Sequence, residues 1–328
     1  MTCTLVTGSS GFIGSAICEA LAARGVAVVG FDRAPPFFAS AARAQGMRFV
    51  AGELHDAAAL AQLFAEYPVT HIVHAAAVTP DEAMERTAPE IVIDVNVSGG
   101  CRLMAAAKNV QLRRIVSLSS ISAYGGATVN GEGRFDDALS PPLPETLYGI
   151  SKRAAEQAMH RLAHLQGLDL RVIRLGPVFG PWEHASDSRA VLSPHHQITA
   201  MARSGMHCIL PRAVPADWIY ARDAARRIVD VLFAEQIDAD LFNLGGGRIT
   251  TLVDWCRALT LHIPGFQWRV DSATANVRYS YLTDRPALDN RRIDAISPSV
   301  TVSLAEAAEN YLAWLDRFSP ANSGRKTS

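Results

Sequence analysis

The stretch TGSSGFIG (residues 7–14) follows a predicted strand at residues 4–6 and leads into a predicted helix at residues 14–23. Glycines in such a turn let the chain reverse tightly and let a pyrophosphate approach the backbone. The pyrophosphate would rest on free N–H groups at the positive end of the helix. A glycine pattern alone is weak evidence, but this one lies in a first βαβ unit, and that context favours a dinucleotide site.

Short apolar runs and amphipathic, alanine-rich stretches alternate through the first half of the chain. They predict further strands at 26–31, 48–50, 71–74, 114–119 and 170–175, and further helices at 57–66, 89–108 and 148–165. Strands alternating with helices of this length indicate βαβ units and a parallel sheet. We therefore expect an α/β fold, a Rossmann-type doubly wound sheet with a smaller α/β lobe that binds substrate.

The alternation weakens after residue 181, which suggests a division of the chain. We expect a Rossmann domain at 1–181, onto which 217–247 packs back, with the lobe formed by 182–216 and 248–318. Within these segments the sequence predicts a loop at 182–194, helices at 197–204 and 223–234, and one more parallel strand at 241–244. The polar residues 319–328 are expected to form a flexible tail.

Composition and charge narrow the possible functions. The 328 residues are 49% hydrophobic and 19% charged, with a net charge of −1, so the chain is globular and lacks the basic patch that nucleic acid or an anionic membrane would require. Neither a leader-like N-terminus nor an apolar run of about 18 residues is present. Five scattered cysteines without metal-ligand spacing indicate reduced thiols and no metal site. We expect a cytoplasmic protein that acts on a small molecule.

An acidic residue closes the second predicted strand. Asp32 follows Gly14 by 18 residues, where a carboxylate can accept hydrogen bonds from the adenosine ribose hydroxyls and repel a 2′-phosphate. A turn or helix-capping aspartate is the structural alternative. Arg33 could instead face a 2′-phosphate, so NADP stays possible, but Asp32 favours NAD.

A tyrosine and a lysine lie four residues apart in YGISK (148–152), which places Tyr148 and Lys152 on one face of a helix. A nearby ammonium is expected to lower the tyrosine pKa, so that Tyr148 could exchange a proton with a substrate hydroxyl or carbonyl. Such a pair alone could be incidental. Ser120 strengthens the prediction because it ends the fifth strand, at the sheet edge where ligands bind.

These motifs together resemble the extended short-chain dehydrogenase/reductase family, in its NAD-dependent epimerase/dehydratase branch. The resemblance runs from about residue 4 to about residue 315, through TGSSGFIG (7–14), Asp32, VHAAA (73–77), NVSGGCRLMAAA (96–107), SLSSISAYG (117–125), YGISK (148–152), RLGPVFGP (174–181), DWIYARD (217–223) and FNLGGG (242–247). It implies an NAD-dependent oxidoreductase that transfers a hydride at a hydroxyl- or carbonyl-bearing carbon.

The resemblance also implies site residues. The catalytic residues would be Ser120, Tyr148 and Lys152. The cofactor contacts would be Gly8, Ser10, Gly11, Phe12, Ile13, Gly14, Asp32, Arg33, Glu53, Leu54, Ala75, Ala76, Ala77, Asn96, Tyr148, Lys152, Leu175, Pro177 and Val178. Residues expected at the substrate are Ser120, Ser122, Trp182, Arg189, His195 and Arg212.

Departures from the family pattern bear on the substrate. Pro177 and Ala216 stand where nucleotide-sugar enzymes of this family carry an asparagine and a phosphate-binding arginine. Each charged hydrogen bond lost there is worth roughly 1.5–3 kcal/mol. We therefore expect a small sugar-like or sugar-acid substrate, with UDP-sugar epimerisation or dehydration as the alternative, in which Arg189, Arg212 or Arg285 would replace the missing contacts.

Several residues have simpler interpretations than a functional one. We expect His195 and His196 to lie in a polar loop, and His71 and His74 to have structural roles. Trp182 could line the substrate site or pack against the lobe. A protein that binds NAD without catalysis is a further alternative, although it would not need the catalytic residues. The resemblance also implies a homodimer, formed through small and apolar residues at 101–107 and 154–165.

Overall fold

The structure, a computed structural model, describes residues 3–37, 46–187, 189, 191–279, 284–299 and 302–318. The predicted tail at 319–328 lies outside these residues. The strands are β1 (Cys3–Thr7), β2 (Ala27–Asp32), β3 (Arg48–Ala51), β4 (His71–His74), β5 (Arg114–Ser120), β6 (Arg134–Phe135), β7 (Leu170–Leu175), β8 (Val178–Phe179), β9 (Cys208–Leu210), β10 (Ile219–Tyr220), β11 (Leu241–Leu244), β12 (Trp268–Val270) and β13 (Ala287–Leu288).

Helices separate the main strands. They are α1 (Phe12–Ala23), α2 (Ala57–Glu66), α3 (Glu82–Thr87), α4 (Pro89–Ile93), α5 (Gly99–Ala106), α6 (Leu147–Gln166), α7 (Pro194–Arg203), α8 (Ala221–Phe233), α9 (Leu252–Thr260), α10 (Arg291–Ile296) and α11 (Leu304–Phe318). The helix predicted at 89–108 contains a π-helical turn, Asp94–Ser98, between α4 and α5. In the part of the chain described, no helix is both long and apolar enough to cross a membrane.

Seven parallel strands form the central sheet, in the order β11-β7-β5-β4-β1-β2-β3. Every residue of β1, β4 and β5 is buried, as expected of parallel strands covered on both faces. The chain starts at the middle of the sheet, builds outward to β3, and then returns to add β4, β5, β7 and β11 on the other side. This is the predicted doubly wound Rossmann sheet, and β11 is the predicted additional strand.

Two apolar clusters cover the faces of this sheet. One joins α1 and α8, through side chains such as Ile17 and Ile228, and extends into the C-terminal elements. The other joins α2, α5 and α6, through Leu63, Met104 and Met159. Small side chains let α1 and α8 pack closely together. Because both faces are covered, the functional groups must lie at the carboxyl edge of the sheet.

The C-terminal elements form small parallel pairs outside the central sheet. β9 pairs with β12, β8 with β10, and β6 with β13. Trp255 of α9 and Trp314 of α11 are buried in the same apolar cluster as α1. The division into a Rossmann domain and a lobe at the predicted boundaries stays a prediction.

Helix α7 begins three residues earlier than predicted. Ser193 caps it, because the Ser193 hydroxyl accepts a hydrogen bond of 3.1 Å from the His196 N–H, and Pro194 occupies the first helical position. His195 therefore lies in a helix, and the prediction of a polar loop around it is wrong.

Candidate active site

Two adjoining clefts open at the carboxyl edge of the sheet. One, of about 250 Å³, contains the catalytic candidates Ser120, Tyr148 and Lys152. The other, of about 360 Å³, contains Asp32. Gly8 and Gly11 line both, so the glycine turn lies where the clefts meet. This arrangement could hold the two halves of a dinucleotide with its pyrophosphate at the turn.

The glycine turn depends on the absence of side chains at two positions. Gly8 has a φ of +70°, and a Cβ there would lie 2.6 Å from the Ala76 Cα. A Cβ on Gly14 would lie 2.0 Å from the Gly8 carbonyl oxygen. Glycine at these positions therefore lets the turn, the start of α1 and the Ala75–Ala77 backbone approach one another.

Asp32 organises the end of the second cleft. Its carboxylate accepts hydrogen bonds from the Ser10 N–H at 3.0 Å and the Arg33 N–H at 2.8 Å. Burial raises the pKa of the Asp32 carboxyl, while these backbone hydrogen bonds and the Arg33 charge oppose the rise. A carboxylate at the end of β2 and facing a cleft fits the ribose of NAD.

Most of the predicted cofactor contacts line one or both clefts. Those that do are Gly8, Ser10, Gly11, Phe12, Ile13, Gly14, Asp32, Arg33, Glu53, Leu54, Ala75, Ala76, Ala77, Tyr148, Lys152, Leu175, Pro177 and Val178. The Glu53 carboxylate lies 3.1 Å from the Nδ1 atom of His55.

Asn96 is the exception among these contacts, and it corrects the prediction. It is buried behind the clefts, where its amide group exchanges hydrogen bonds of 2.8 and 3.0 Å with the Val78 backbone and donates one of 3.0 Å to the Ser151 hydroxyl. A side chain with all three of these bonds has little capacity left for a ligand. Asn96 therefore ties the loop after β4 to helix α6.

Three side chains converge at the wall of the first cleft. Tyr148 and Lys152 come from the first two turns of α6, which begins at the N-cap Thr146. Ser120 ends β5, and its hydroxyl accepts a hydrogen bond of 3.1 Å from the Ser122 N–H. The Lys152 ammonium donates to the Leu118 carbonyl at 2.8 Å and lies 5.9 Å from the centre of the Tyr148 ring.

The pKa of Tyr148 differs from the expectation that Lys152 would lower it. Burial raises the pKa of Tyr148 above its usual value, although hydrogen bonds with Thr79 and Ser120 and the charges of Arg189 and Arg285 act in the opposite direction. Burial also lowers the pKa of Lys152 to about 8, against the raising effect of Glu156. Desolvation is the largest effect on both groups, although Lys152 is buried beneath α6 whereas Tyr148 is half-buried at the cleft.

A buried ionic network supports the helix that carries these residues. The Glu156 carboxylate accepts two hydrogen bonds from Arg174, at 2.9 and 2.7 Å, and one from the Ser119 hydroxyl at 2.5 Å. The Arg174 guanidinium stacks over the Tyr124 ring at 4.5 Å. Because Glu156 lies one turn after Lys152, the network fixes the lysine relative to β5 and β7.

Three arginines line the first cleft: Arg189, Arg278 and Arg285. Arg189 donates a hydrogen bond of 2.8 Å to Glu183, which is buried and also accepts from the Ser193 N–H and hydroxyl. Among the residues that the structure describes, no carboxylate lies within ion-pair distance of Arg278. The cleft therefore carries positive charge suited to an anionic ligand.

The predicted substrate residues separate into two groups. Ser120 and Arg189 line the first cleft, whereas Ser122 lies behind it and accepts a hydrogen bond of 3.0 Å from Arg285. Trp182 packs on Trp314, with ring centres 5.2 Å apart, so it follows the packing alternative. Arg212 pairs with Asp284 outside the cleft wall.

His195 is a second correction. It is fully buried, with its ring stacked on Phe179 at 4.2 Å and inclined by 60° to the Trp218 ring at 4.5 Å. Burial lowers the pKa of His195 to about 3, so the ring is neutral. His71 and His74 are buried and hydrogen-bonded to Thr70 and Thr7, consistent with structural roles.

Sequence reasoning missed Thr79, His184 and Arg278, all of which line the first cleft. Thr79 follows the predicted alanine loop by two residues, so extending that loop would have found it. His184 and Arg278 lie in irregular segments without a motif. Only the tertiary fold brings them to the site.

A family model matches residues 4–245, and its description is the NAD dependent epimerase/dehydratase family. The chain belongs to this family. The matched residues include the glycine turn that the two clefts share, Asp32, and the Tyr148–Lys152 pair. It confirms the predicted family, the oxidoreductase type and the NAD cofactor, and the residues around the clefts fit that cofactor.

Relatives of this family member include UDP-glucuronate 4-epimerase 6 of Arabidopsis thaliana, 37% identical over 190 residues. That match covers 54% of this chain and 40% of the Arabidopsis protein. UDP-glucuronate 4-epimerase of Thermodesulfobacterium geofontis is 27% identical over 254 residues, or 74% of this chain and 75% of that protein. The chain thus spans less than half of the plant enzyme's length.

Solved structures show the same fold. The UDP-glucose-4-epimerase of Stenotrophomonas maltophila, with bound NAD and formylated UDP-arabinopyranose, has a TM-score of 0.81 at 22% identity, covering 98% of this chain and 100% of that one. The UDP-glucuronic acid 4-epimerase of Bacillus cereus, in complex with UDP-glucuronic acid and NAD, has a TM-score of 0.78 at 20% identity, covering 96% and 99%.

Proposed function

We propose that this family member epimerises an anionic UDP-sugar at a hydroxyl-bearing carbon, with UDP-glucuronate as the first substrate to test. The observation that carries the proposal is the position of Arg189 and Arg285, whose charges act on the same Tyr148 hydroxyl that would exchange the proton. A negative group held by these arginines would lie near the reacting carbon. The relatives named above, which act on UDP-glucuronate, support this substrate class.

The reaction requires one group to move a proton and another to move a hydride. NAD, when bound, supplies the hydride acceptor and returns the hydride. Tyr148, as the phenolate, takes the proton from the substrate hydroxyl and later gives it back to the carbonyl oxygen. Because burial raises the pKa of Tyr148, the neighbouring positive charges are needed to make the phenolate accessible.

Ser120 and Lys152 would assist from either side. The Ser120 hydroxyl hydrogen-bonds with Tyr148 and can donate to the reacting oxygen. Lys152, fixed on the Leu118 carbonyl, supplies positive charge at the cleft wall beside the Tyr148 ring. Leu118, Leu175 and Pro177 exclude water from this wall. Inversion at this carbon would draw on the hydride chemistry that NAD supplies, with Ser120 and Tyr148 holding the reacting oxygen.

The substrate class is tested with UDP-glucuronate, UDP-glucose and free glucuronate, with NMR to detect epimers and absorbance to detect NADH. We expect inversion of UDP-glucuronate without accumulation of NADH. Arg189→Met should lower kcat/KM for UDP-glucuronate by roughly 10- to 100-fold and affect UDP-glucose less, because one charged hydrogen bond is lost. Arg212→Met is the matched control, since Arg212 lies outside the cleft. An unchanged preference in Arg189→Met would refute the assignment.

Oxidation of a free sugar acid is the second candidate. Pro177 and Ala216 line the first cleft and offer no side-chain hydrogen bond to a pyrophosphate. A substrate that carries only a carboxylate would need fewer cationic partners. Net release of NADH with free glucuronate, and no thermal stabilisation by millimolar UDP, would establish this candidate in place of the first.

We also propose that the protein is a cytoplasmic homodimer. All five cysteines are free thiols, and four of them are buried in the apolar clusters. Helices α4 and α6 expose Ile91, Ile93, Ile150 and Leu165, which a partner subunit could cover. In contrast, Leu103, Met104 and Met159, from the stretches predicted to pair, are buried within the subunit.

A further inference from the structure

The segment 182–187 crosses the place where the two clefts meet. His184 and Ser186 line both clefts, as Gly8 and Gly11 do from the opposite side. A pyrophosphate on the glycine turn would therefore be enclosed between the turn and this segment. Such an arrangement differs from an open groove, in which the cofactor could leave without any movement of the chain.

Both ends of the segment are attached to the body of the protein. At one end, Trp182 packs on Trp314, and the buried Glu183 accepts hydrogen bonds of 2.7 and 2.5 Å from Ser193. At the other end, Arg189 forms a backbone bridge with Thr79 in the loop after β4. The segment is thus anchored at both ends, by contacts in which Ser193, Arg189 and Thr79 line the first cleft.

The middle of the segment contacts the opposite wall of the cofactor cleft. The His184 ring stacks on Phe37, with centres 4.8 Å apart and planes inclined by 7°. Phe37 follows Asp32 by five residues, after the stiff pair Pro35-Pro36, and is 54% exposed. His184 Nδ1 lies 3.0 Å from the Trp182 carbonyl oxygen, which fixes the ring. The stack therefore joins the β2 side of the cleft to the 182–187 segment.

We propose that Phe37 and His184 form a clasp that closes the cofactor cleft and must open before NAD can leave. The proposal rests on the proposed function only in taking NAD as the resident cofactor. An enzyme that returns a hydride within one turnover must keep its cofactor between the two transfers. The clasp provides this, because release of NAD then requires separation of two stacked rings besides loss of the cofactor's own contacts.

The test is the rate at which loaded protein releases radiolabelled NAD into an excess of unlabelled NAD. His184→Ala and Phe37→Ala should each release NAD roughly 3- to 10-fold faster, as expected for loss of one aromatic contact. The double variant should be no faster than either single variant, because both remove the same stack. His184→Phe, which keeps a stacking ring, should retain slow release.

Controls separate the clasp from general damage. His207→Ala and Leu139→Ala remove exposed side chains outside both clefts and should release NAD at the parent rate. Single variants that release NAD at the parent rate would overturn the clasp, as would multiplicative effects in the double variant. Slow, clasp-dependent release without UDP-sugar turnover would refute the proposed function alone, whereas epimerase activity with clasp-independent release would refute the clasp alone.

Discussion

At the scale of single residues, the Tyr148 hydroxyl is the group on which the proposed chemistry depends. Tyr148→Phe keeps the half-buried ring and removes the hydroxyl that exchanges the proton, so turnover should fall by roughly 100-fold or more. NAD affinity, measured by calorimetry, should stay near the parent value. Tyr67→Phe, in a tyrosine remote from both clefts, is the control. Near-parent turnover in Tyr148→Phe would mean that another residue exchanges the proton.

Lys152 illustrates how a functional group can cost stability. Its pKa falls from 10.5 to about 8 on burial, which corresponds to at most about 3 kcal/mol. Below pH 8 the ammonium is charged in the folded and unfolded states, so the folded state bears the whole cost. Between pH 8 and 10.5 the folded state binds fewer protons than the unfolded state, and its stability rises relative to a variant that lacks the ammonium.

Lys152→Met should therefore unfold at a higher urea concentration than the parent at pH 7, in the absence of NAD. The gain should be smaller at pH 9.5, where the folded parent has lost most of this charge. Loss of the hydrogen bond to Leu118 reduces the gain by about 1 kcal/mol. A variant less stable than the parent at pH 7, or a gain that grows with pH, would contradict the depressed pKa.

At the scale of elements, the β1–turn–α1 unit tolerates no side chain at Gly14. Its Cβ would lie 2.0 Å from the Gly8 carbonyl oxygen, and backbone cannot yield as a side-chain end can. Gly14→Ala should lower the free energy of unfolding by about 2 kcal/mol or more and abolish measurable NAD binding. Gly131→Ala is the control, since no described atom lies within 4 Å of its Cβ. Equal behaviour of the two variants would contradict the close approach.

The same elements show what could be predicted from sequence. The seven sheet strands and the helix with Tyr148 and Lys152 were predicted, because apolar periodicity and local glycine and tyrosine-lysine motifs mark them. The start of α7 was missed although Ser193-Pro194 is a helix-start signal, and His195 was misplaced with it. Arg278 and His184 reach the clefts from irregular segments distant in sequence from the motifs, and Phe37 does so from the irregular segment after β2; no local pattern encodes such contacts.

At the scale of the whole molecule, the proposed homodimer depends on the apolar residues exposed on α4 and α6. Ile150 is 45% exposed on the outer side of the helix that carries Tyr148. A second subunit covering it would bury this surface and hold α6 in place beneath the clefts. Light scattering at micromolar concentration should therefore give the mass of a dimer.

Ile150→Glu should shift the measured mass towards that of a monomer, since a buried unpaired carboxylate at the interface is costly. Val129→Glu is the control: it also replaces an exposed apolar residue, but one outside both helices, and should leave the dimer intact. A monomer in the parent protein, or equal effects of the two substitutions, would exclude this interface.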